Sequence, residues 1–461
     1  MKRLVPCAAR DGGRWMTRQS ARGLAPRASH WTGAARGTGK ARGVETLGAS
    51  ARWPTGWRSN HAQSLALSSD LSAEFLPGLF GSRTETSHKL ADLQRMFSFE
   101  ASETLDQVYE PPKRTTSRTL AEEHAAFLGM YDDLAADVAA DVAQLGLPTQ
   151  SLQWIDNMFE YTIRGGKMTR GLMVPQVVNG MGSASDEIMY QARVVGWCIE
   201  VLQAAFLVVD DVLDQADMRR GKAAYYRLPH VGMTAVNDGL LLESLAFRLM
   251  RRHVRTHPSY LELTELLRES IFVTECGQLI DLTAPPTTVA QLEERFTMEQ
   301  YAKMVQCKTS HYTFYLPVAA GLHLASSATD EALLEARAVC DAIGEYFQVQ
   351  DDFLDCYGDA KHTGKGNTDI VERKCTWLAV TALELCADDE ATKLHLQNCL
   401  LAGDTGRVTE IYDQLGVRHA YAAYEEASVA AIRAGIASCA GLAPARPMLE
   451  AVVKKLHKRV K

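Results

Sequence analysis

Two aspartate clusters stand out in this sequence as candidates for chemistry: Asp210-Asp211-Val212-Leu213-Asp214 and Asp351-Asp352-Phe353-Leu354-Asp355. On a helix the first and last aspartates of each cluster lie four residues apart and share a face, so each helix presents a carboxylate pair about one turn long. Carboxylates set among apolar residues are too costly to bury alone, so their charge must be offset by cations or they must be protonated. Oxygen-only donors suit Mg2+, an ion that keeps waters and takes one or two carboxylates together with substrate phosphate. A single such motif on a polar helix is more often a solvated face. Two copies, each ending a long apolar run, are much more specific and point to metal ions gripping a diphosphate between the two clusters.

A diphosphate also needs direct cationic contacts, and these occur in small groups beside glycines and turns. Lys167 and Arg170 follow the glycine pair Gly165-Gly166, Arg219-Arg220-Gly221 follows the first aspartate cluster, and Lys308-Thr309 sits among apolar and aromatic residues. Thr363-Gly364-Lys365 follows the second cluster, with Lys374 a few residues beyond Asp369. Each cation alone is more often an ordinary surface charge; it is the grouping near the aspartates that singles them out.

The elements that position these groups read as helices. Ser185 precedes a Pro-free run to about Asp214, and Thr329 or Asp330 precedes another to about Asp355, each about 40 Å long as a helix. Both are apolar on more than one face, which places them in the middle of a bundle. Upstream, Phe127, Tyr131, Leu134, Val138 and Leu145 recur at helical spacings until Gly146 and Pro148 stop the run. Strand-like alternation is largely absent, so the fold class is all-α.

The chain has 461 residues, 46% hydrophobic and 23% charged, ample for a large core. The apolar stretch Ala204 to Val209 stops at Asp210, far short of the roughly 20 residues a bilayer crossing needs, so no transmembrane segment is expected. Ten cysteines without a CxxC pair suggest reduced thiols rather than a disulfide framework or a zinc site. Residues 1–60 hold twelve Lys and Arg against Asp11 and Glu45, an acid-poor, Arg-spaced composition that matches a mitochondrial targeting segment, with an unstructured extension of a cytoplasmic protein as the alternative. Subtracting the +10 of that segment from the net charge of −7 leaves −17 on the remainder, which carries no nucleic-acid footprint. Residues 61–95 read as a linker, and the catalytic domain spans 96–461.

In order and spacing these motifs resemble farnesyl diphosphate synthases: Gly-Gly-Lys-x-x-Arg, Leu202-Gln203 before the first cluster, Arg-Arg-Gly, Gly277-Gln278-x-x-Asp281, Lys308-Thr309 and Phe347-Gln348-x-Gln350 before the second. The likeness continues through Thr363-Gly364-Lys365, Thr368-Asp369-Ile370 and Lys374-Cys375-x-Trp377 to a basic C-terminus with Arg459. It implies a single bundle of about ten core helices around a central cavity, a homodimer, and head-to-tail condensation of isopentenyl diphosphate with dimethylallyl or geranyl diphosphate. It also implies three Mg2+ ions per site, with Asp210, Asp214 and Asp351 as ligands, Asp281 assisting, and Asp211, Asp352 and Asp355 completing the metal-binding set. By the same likeness Arg219, Lys308, Gln348, Lys365 and Lys374 contact the allylic diphosphate side, Thr309 stabilises the carbocation, and Lys167, Arg170, Gln203 and Arg220 bind isopentenyl diphosphate.

Two details depart from the family pattern. Ala205, five residues before Asp210, stands where a second aromatic is common, which would lengthen the product pocket toward a geranylgeranyl product unless Phe206 or Tyr346 closes its floor. Gly366-Asn367 interrupts the loop after Lys365. A geranyl product, a terpene cyclase on the same scaffold and a non-catalytic regulatory subunit are the rival readings. Retention of Lys167, Arg170, Gln203 and Arg220 argues against a cyclase, and two intact aspartate motifs argue against a regulatory subunit.

Overall fold

The computed structural model describes residues 119–182, 184–358 and 368–458. The segments 1–60 and 61–95, the start of the catalytic region near residue 96, the loop with Lys365 and Gly366-Asn367, and Arg459 lie outside these residues. In chain order the helices are α1 (Leu120–Gly129), α2 (Tyr131–Ala143), α3 (Thr149–Ile163), α4 (Thr169–Asn179), α5 (Asp186–Leu213), α6 (Thr234–Val254) and α7 (Tyr260–Thr283). They continue with α8 (Val289–Arg295), α9 (Met298–Val305), α10 (Leu316–Leu324), α11 (Asp330–Tyr357), α12 (Thr368–Val371), α13 (Trp377–Leu385), α14 (Glu390–Ala402), α15 (Thr405–Leu415), α16 (Val417–Ser438) and α17 (Arg446–Leu456). The strands among the described residues form a two-residue hairpin, β1 (Met218–Arg219) and β2 (Lys222–Ala223). The all-α expectation holds.

The two long helices begin where their capping residues place them. The Ser185 hydroxyl accepts from the Ile188 amide at 3.2 Å, and the Thr329 hydroxyl accepts from Ala332 at 3.1 Å, each satisfying a donor that the first turn leaves free. Helix α5 runs through the largest core, burying Val194, Val195, Ile199, Val201 and Leu202 against α4 and α6. By length and composition it is apolar enough to cross a bilayer, but 78% of its most apolar window is buried inside the protein, the mark of a central core helix. Helix α11 lies between the chain around residue 310 and α16, with Ile343 and Tyr346 in a second core and Val349 in a third. Upstream, Phe127, Tyr131, Leu134 and Val138 are buried as their spacing predicts, although a break at Met130 divides the run into α1 and α2. Leu145 is a correction: it lies beyond α2 and is 54% exposed.

Between α9 and α10 the chain winds as a ten-residue π-helix, Gln306–Tyr315, which carries Lys308, Thr309 and Tyr312. Wide turns of this kind occur mostly where a function demands them. Glycines on the two flanking helices admit it. A Cβ on Gly277 of α7 would overlap the Lys308 backbone, and one on Gly344 of α11 would overlap Ser310.

Candidate active site

The C-terminal ends of α5 and α11, the π-helix, the end of α7 and the β1–β2 hairpin enclose a cavity of about 810 Å3. Asp210 and Asp214 line one wall, and Asp351 and Asp355 line the other. Opposite-facing carboxylate pairs at i and i+4 therefore meet across one space, as the motif spacing requires.

The middle aspartates differ from the outer ones in having close protein partners. Asp211 is 2% exposed and binds the Arg219 guanidinium through Nε at 2.9 Å and Nη2 at 2.5 Å. Asp352 is buried, accepting from the Tyr301 hydroxyl at 2.8 Å, the Trp377 amide at 2.9 Å and Gln348 Nε2 at 3.0 Å. Burial pushes the Asp352 carboxyl up to about 7 despite those three donors. Both residues anchor their helix ends; Asp211 lies outside the lining of this cavity, whereas Asp352 borders it beside Asp351.

Cationic side chains interleave with the carboxylates. Lys308 Nζ lies 2.5 Å from Asp281 and 3.7 Å from Asp210, while Lys374 Nζ lies 3.1 Å from Asp214 and 2.9 Å from Glu372. Burial alone would lower both ammonium pKa values, but Asp281 and Asp210 around Lys308, and Asp281, Asp214 and Asp369 around Lys374, hold them above the ordinary lysine value. Asp281 thus enters the site as a partner of Lys308. Gln278, one turn before it, donates to Asp210 Oδ1 at 3.0 Å. Asp355 accepts from the Thr368 hydroxyl at 2.9 Å and the Asp369 amide at 3.1 Å, which fixes α12 against the cavity rim.

The hairpin supplies the next cations. Its central residues Arg220 and Gly221 have φ of 54° and 75°, the left-handed pair that a two-residue turn between twisted strands needs. This turn sends Arg219 toward α5 and Arg220 toward the start of α4. Arg220 Nη1 lies 3.3 Å from the carbonyls of Thr162 and Ile163, under Gly166, whose missing Cβ would stand 3.0 Å from the guanidinium carbon. Arg170 at the head of α4 donates from Nε to Thr313 Oγ1 at 3.1 Å and from Nη2 to the Tyr312 hydroxyl at 3.0 Å. Gln203 lies between Glu200 and Arg170, and its amide satisfies both when its nitrogen is assigned to the Glu200 side and its oxygen to Arg170 Nη1, 2.9 Å away.

On the opposite wall the Thr309 hydroxyl donates to Gln348 Oε1 at 2.8 Å, and Gln348 in turn donates to Asp352. Arg170, Gln203, Arg219, Arg220, Lys308, Thr309, Gln348 and Lys374 thus meet around one cavity. Among the described cationic candidates Lys167 stands apart: it is exposed on the turn before α4 and does not line the space. Sequence reasoning gave no role to Gln278, Tyr301, Tyr312, Asp369 or Glu200. For Glu200 the signal was present, since it is the one charged residue between Arg193 and Asp210 in a buried apolar helix.

Ala205 is not among the residues that line this cavity. Ala205 is 5% exposed in the core, about 140° around α5 from Asp210 at 100° per residue, and the apolar lining comes from Leu207, Met304, Tyr312 and Phe347 instead. Phe206 packs edge-on to Tyr312 with ring centroids 5.3 Å apart. Tyr346 does not close the floor either, because its hydroxyl is turned into the core toward Glu425 at 2.8 Å.

The donor set fits Mg2+. Among the described residues no three His, Cys, Asp or Glu side chains converge to enclose an ion by themselves. The arrangement suits a hard cation that takes one or two carboxylates from each wall and fills its shell with phosphate oxygens and water. Crowding of negative charge points the same way: burial, with Asp355 and Asp352 beside it, holds the Asp369 carboxyl well above the usual range.

A helical cavity with two opposed aspartate pairs and a ring of arginines and lysines is the site of a prenyltransferase acting on diphosphate esters. Residues 152–415 match the polyprenyl synthetase family, so the chain belongs to that family. Farnesyl diphosphate synthase 1 of Artemisia spiciformis is 38% identical over 340 residues, covering 73% of this chain and 96% of that one. Farnesyl pyrophosphate synthase of Gallus gallus is 36% identical over 366 residues, 76% of this chain and 97% of that one. A relative from Arabidopsis thaliana, 35% identical over 73% of this chain and 88% of its own length, is named farnesyl pyrophosphate synthase 1, mitochondrial. Among solved structures, T. brucei farnesyl diphosphate synthase complexed with minodronate superposes with a TM-score of 0.69 at 28% identity, over 74% of this chain and all of that one.

Proposed function

We propose that the protein is a Mg2+-dependent farnesyl diphosphate synthase, joining isopentenyl diphosphate head-to-tail to dimethylallyl and then geranyl diphosphate. The observation that carries this reading is the meeting of Asp210 and Asp214 with Asp351 and Asp355 across a cavity that also holds two separate cation groups. One group, Arg219, Lys308 and Lys374, stands beside the aspartates and receives the allylic diphosphate. The other, Arg170 and Arg220 with Gln203, lies at the head of α4 and receives isopentenyl diphosphate. Lys167, exposed on the turn before α4, stands next to the second group in sequence.

Asp210, Asp214, Asp351 and Asp355 would hold Mg2+, which would supply neutralising charge to the diphosphate leaving group. Lys308 and Arg219 bind that group's oxygens as the allylic carbon–oxygen bond breaks, so charge develops where donors already point. Thr309 and Gln348, linked by their hydrogen bond, turn oxygen lone pairs toward the delocalised carbocation. Arg170 and Arg220 hold the second substrate so that its terminal olefin carbon bonds to the cation. The tertiary cation left on the inner olefin carbon loses a proton from the neighbouring methylene to the released diphosphate, which forms the new double bond, and no protein nucleophile takes part.

Two further features belong to the same reading. A homodimer is supported by large apolar side chains left exposed on α6 and α7, where Leu240, Phe272 and Leu279 are each about 60% exposed. Import into mitochondria is supported by the Arg-rich N-terminus and by the name of the Arabidopsis relative. The test is the substrate requirement for diphosphate release. A synthase releases inorganic diphosphate from geranyl diphosphate only when isopentenyl diphosphate is also supplied; release from geranyl diphosphate alone would overturn the reading in favour of a cyclase.

A further inference from the structure

Behind the arginine that faces the cavity from α4 stands a carboxylate that touches neither cavity nor solvent. Glu200 is 4% exposed, one turn before Gln203 on α5. Its Oε1 accepts from the Gly171 amide at 2.8 Å, and its Oε2 lies 3.1 Å from the Gln203 side-chain amide, whose nitrogen is assigned to this side because a carboxylate can only accept. Gly171 is the residue after Arg170, so Glu200 holds Arg170 twice, by the backbone at the first turn of α4 and by the side chain through Gln203. Close packing makes the reach possible. Gly171 and Gly196 lie where any Cβ would collide with the opposite helix, which brings α4 and α5 into backbone contact at this level.

We propose that Glu200 is a positioning residue for isopentenyl diphosphate, a reading that rests on the assignment of Arg170 and Arg220 to that substrate. Three fixed partners orient the Arg170 guanidinium: Thr313 on Nε, Tyr312 on Nη2 and Gln203 on Nη1. Only the Gln203 contact depends on a group that can turn around. An amide presents oxygen on one side and nitrogen on the other. Glu200, an acceptor on both oxygens when ionised, forces the Gln203 nitrogen toward itself and thereby the Gln203 oxygen toward Arg170. Burial raises the Glu200 carboxyl pKa, opposed by the Gly171 amide and by the charges of Arg170 and Arg220.

Replacement by glutamine reverses this logic. In Glu200→Gln the new side chain keeps an oxygen for the Gly171 amide and places its NH2 against Gln203. Gln203 must then turn its own oxygen inward and present a donor to a donor on Arg170. The pocket shape is kept, but the orientation of the arginine is lost.

The experiment is steady-state kinetics on the full chain, varying each substrate against saturating partner, for wild type, Glu200→Gln and Glu200→Asp, with thermal melts in parallel. The wild type serves as the control on the underlying assignment: if it does not condense isopentenyl diphosphate, that assignment fails before Glu200 is in question. With an active wild type, Glu200→Gln should raise KM for isopentenyl diphosphate about tenfold, the scale of one hydrogen bond to a charged group. KM for geranyl diphosphate should change less than twofold, roughly the precision at which a selective effect can be claimed. Glu200→Asp, which keeps the charge and withdraws it by one methylene, should show a smaller rise of the same kind, and it carries the test if Glu200→Gln does not fold. Equal changes in both KM values, or a fall in kcat alone, in a folded variant would mean that Glu200 merely supports the helix pair and would overturn the proposal.

Discussion

Gly277 on α7 lies directly against the backbone of Lys308, with no room between them for a side chain. The contact joins the helix that ends in Asp281 to the π-helix that carries Lys308 and Thr309, and so couples an unusual backbone to the cations of the site. Replacing Gly277 with alanine forces the two backbones apart, and overpacking of this kind costs about 1–3 kcal/mol. The expected result is a lower melting temperature with a disproportionate fall in kcat, because Lys308 moves away from Asp281 and Asp210. Gly344→Ala, on the other flank of the π-helix, should behave alike. A variant with wild-type turnover would show that the π-helix tolerates displacement.

Asp210 and Asp211 are neighbours in sequence with different surroundings, so their variants should separate. Asp210→Asn removes a cavity carboxylate and should lower kcat by at least about 100-fold, the scale seen when one group stabilising developing charge is lost. Asp211→Asn loosens Arg219 without emptying the cavity wall and should cost markedly less. Asp351→Asn and Asp352→Asn should follow the same contrast. Comparable losses for both members of either pair would identify the middle aspartates as direct ligands.

Metal dependence follows from the donor set. Treatment with EDTA should abolish turnover and added Mg2+ should restore it, while the far-ultraviolet circular dichroism stays unchanged because the aspartates sit at the ends of helices already packed on both sides. Full activity in excess chelator would contradict the carboxylate–metal reading.

His311, in the π-helix, is 2% exposed, and burial, with Arg337 nearby, pushes its imidazole down from 6.5 to about 4. The unfolded chain takes up a proton near the ordinary value and the folded one does not, so stability rises with pH between those limits and levels off above them. At pH 5 the loss relative to neutral pH from this group is about 2 kcal/mol. Melting temperatures measured from pH 7 to 5 should fall less steeply for His311→Asn than for wild type. His257 and His323, also lowered by burial, keep some slope in both. Parallel slopes would mean that His311 is protonated in the folded state.

Much of this architecture is legible in the sequence because its causes are local. Ser185 and Thr329 cap the two long helices, apolar faces mark them as central, and four-residue spacing puts Asp210 with Asp214 and Asp351 with Asp355. What escaped depends on contacts distant along the chain. Asp352 is claimed by Tyr301 and Trp377, and nothing in the motif itself distinguishes it from Asp351. Asp211 is claimed by Arg219 only because a left-handed turn at Arg220 and Gly221 folds the chain back. The π-helix leaves no composition signal at all; it exists because Gly277 and Gly344 admit it.

The most direct measurement is product identification. The purified full chain is supplied with isopentenyl diphosphate, geranyl diphosphate and Mg2+, and the products are separated by chromatography before and after phosphatase treatment. The expected result is a fifteen-carbon prenyl alcohol that appears only after phosphatase. A hydrocarbon or terpene alcohol present without phosphatase, a twenty-carbon alcohol as the main product, or no condensation at all would contradict it.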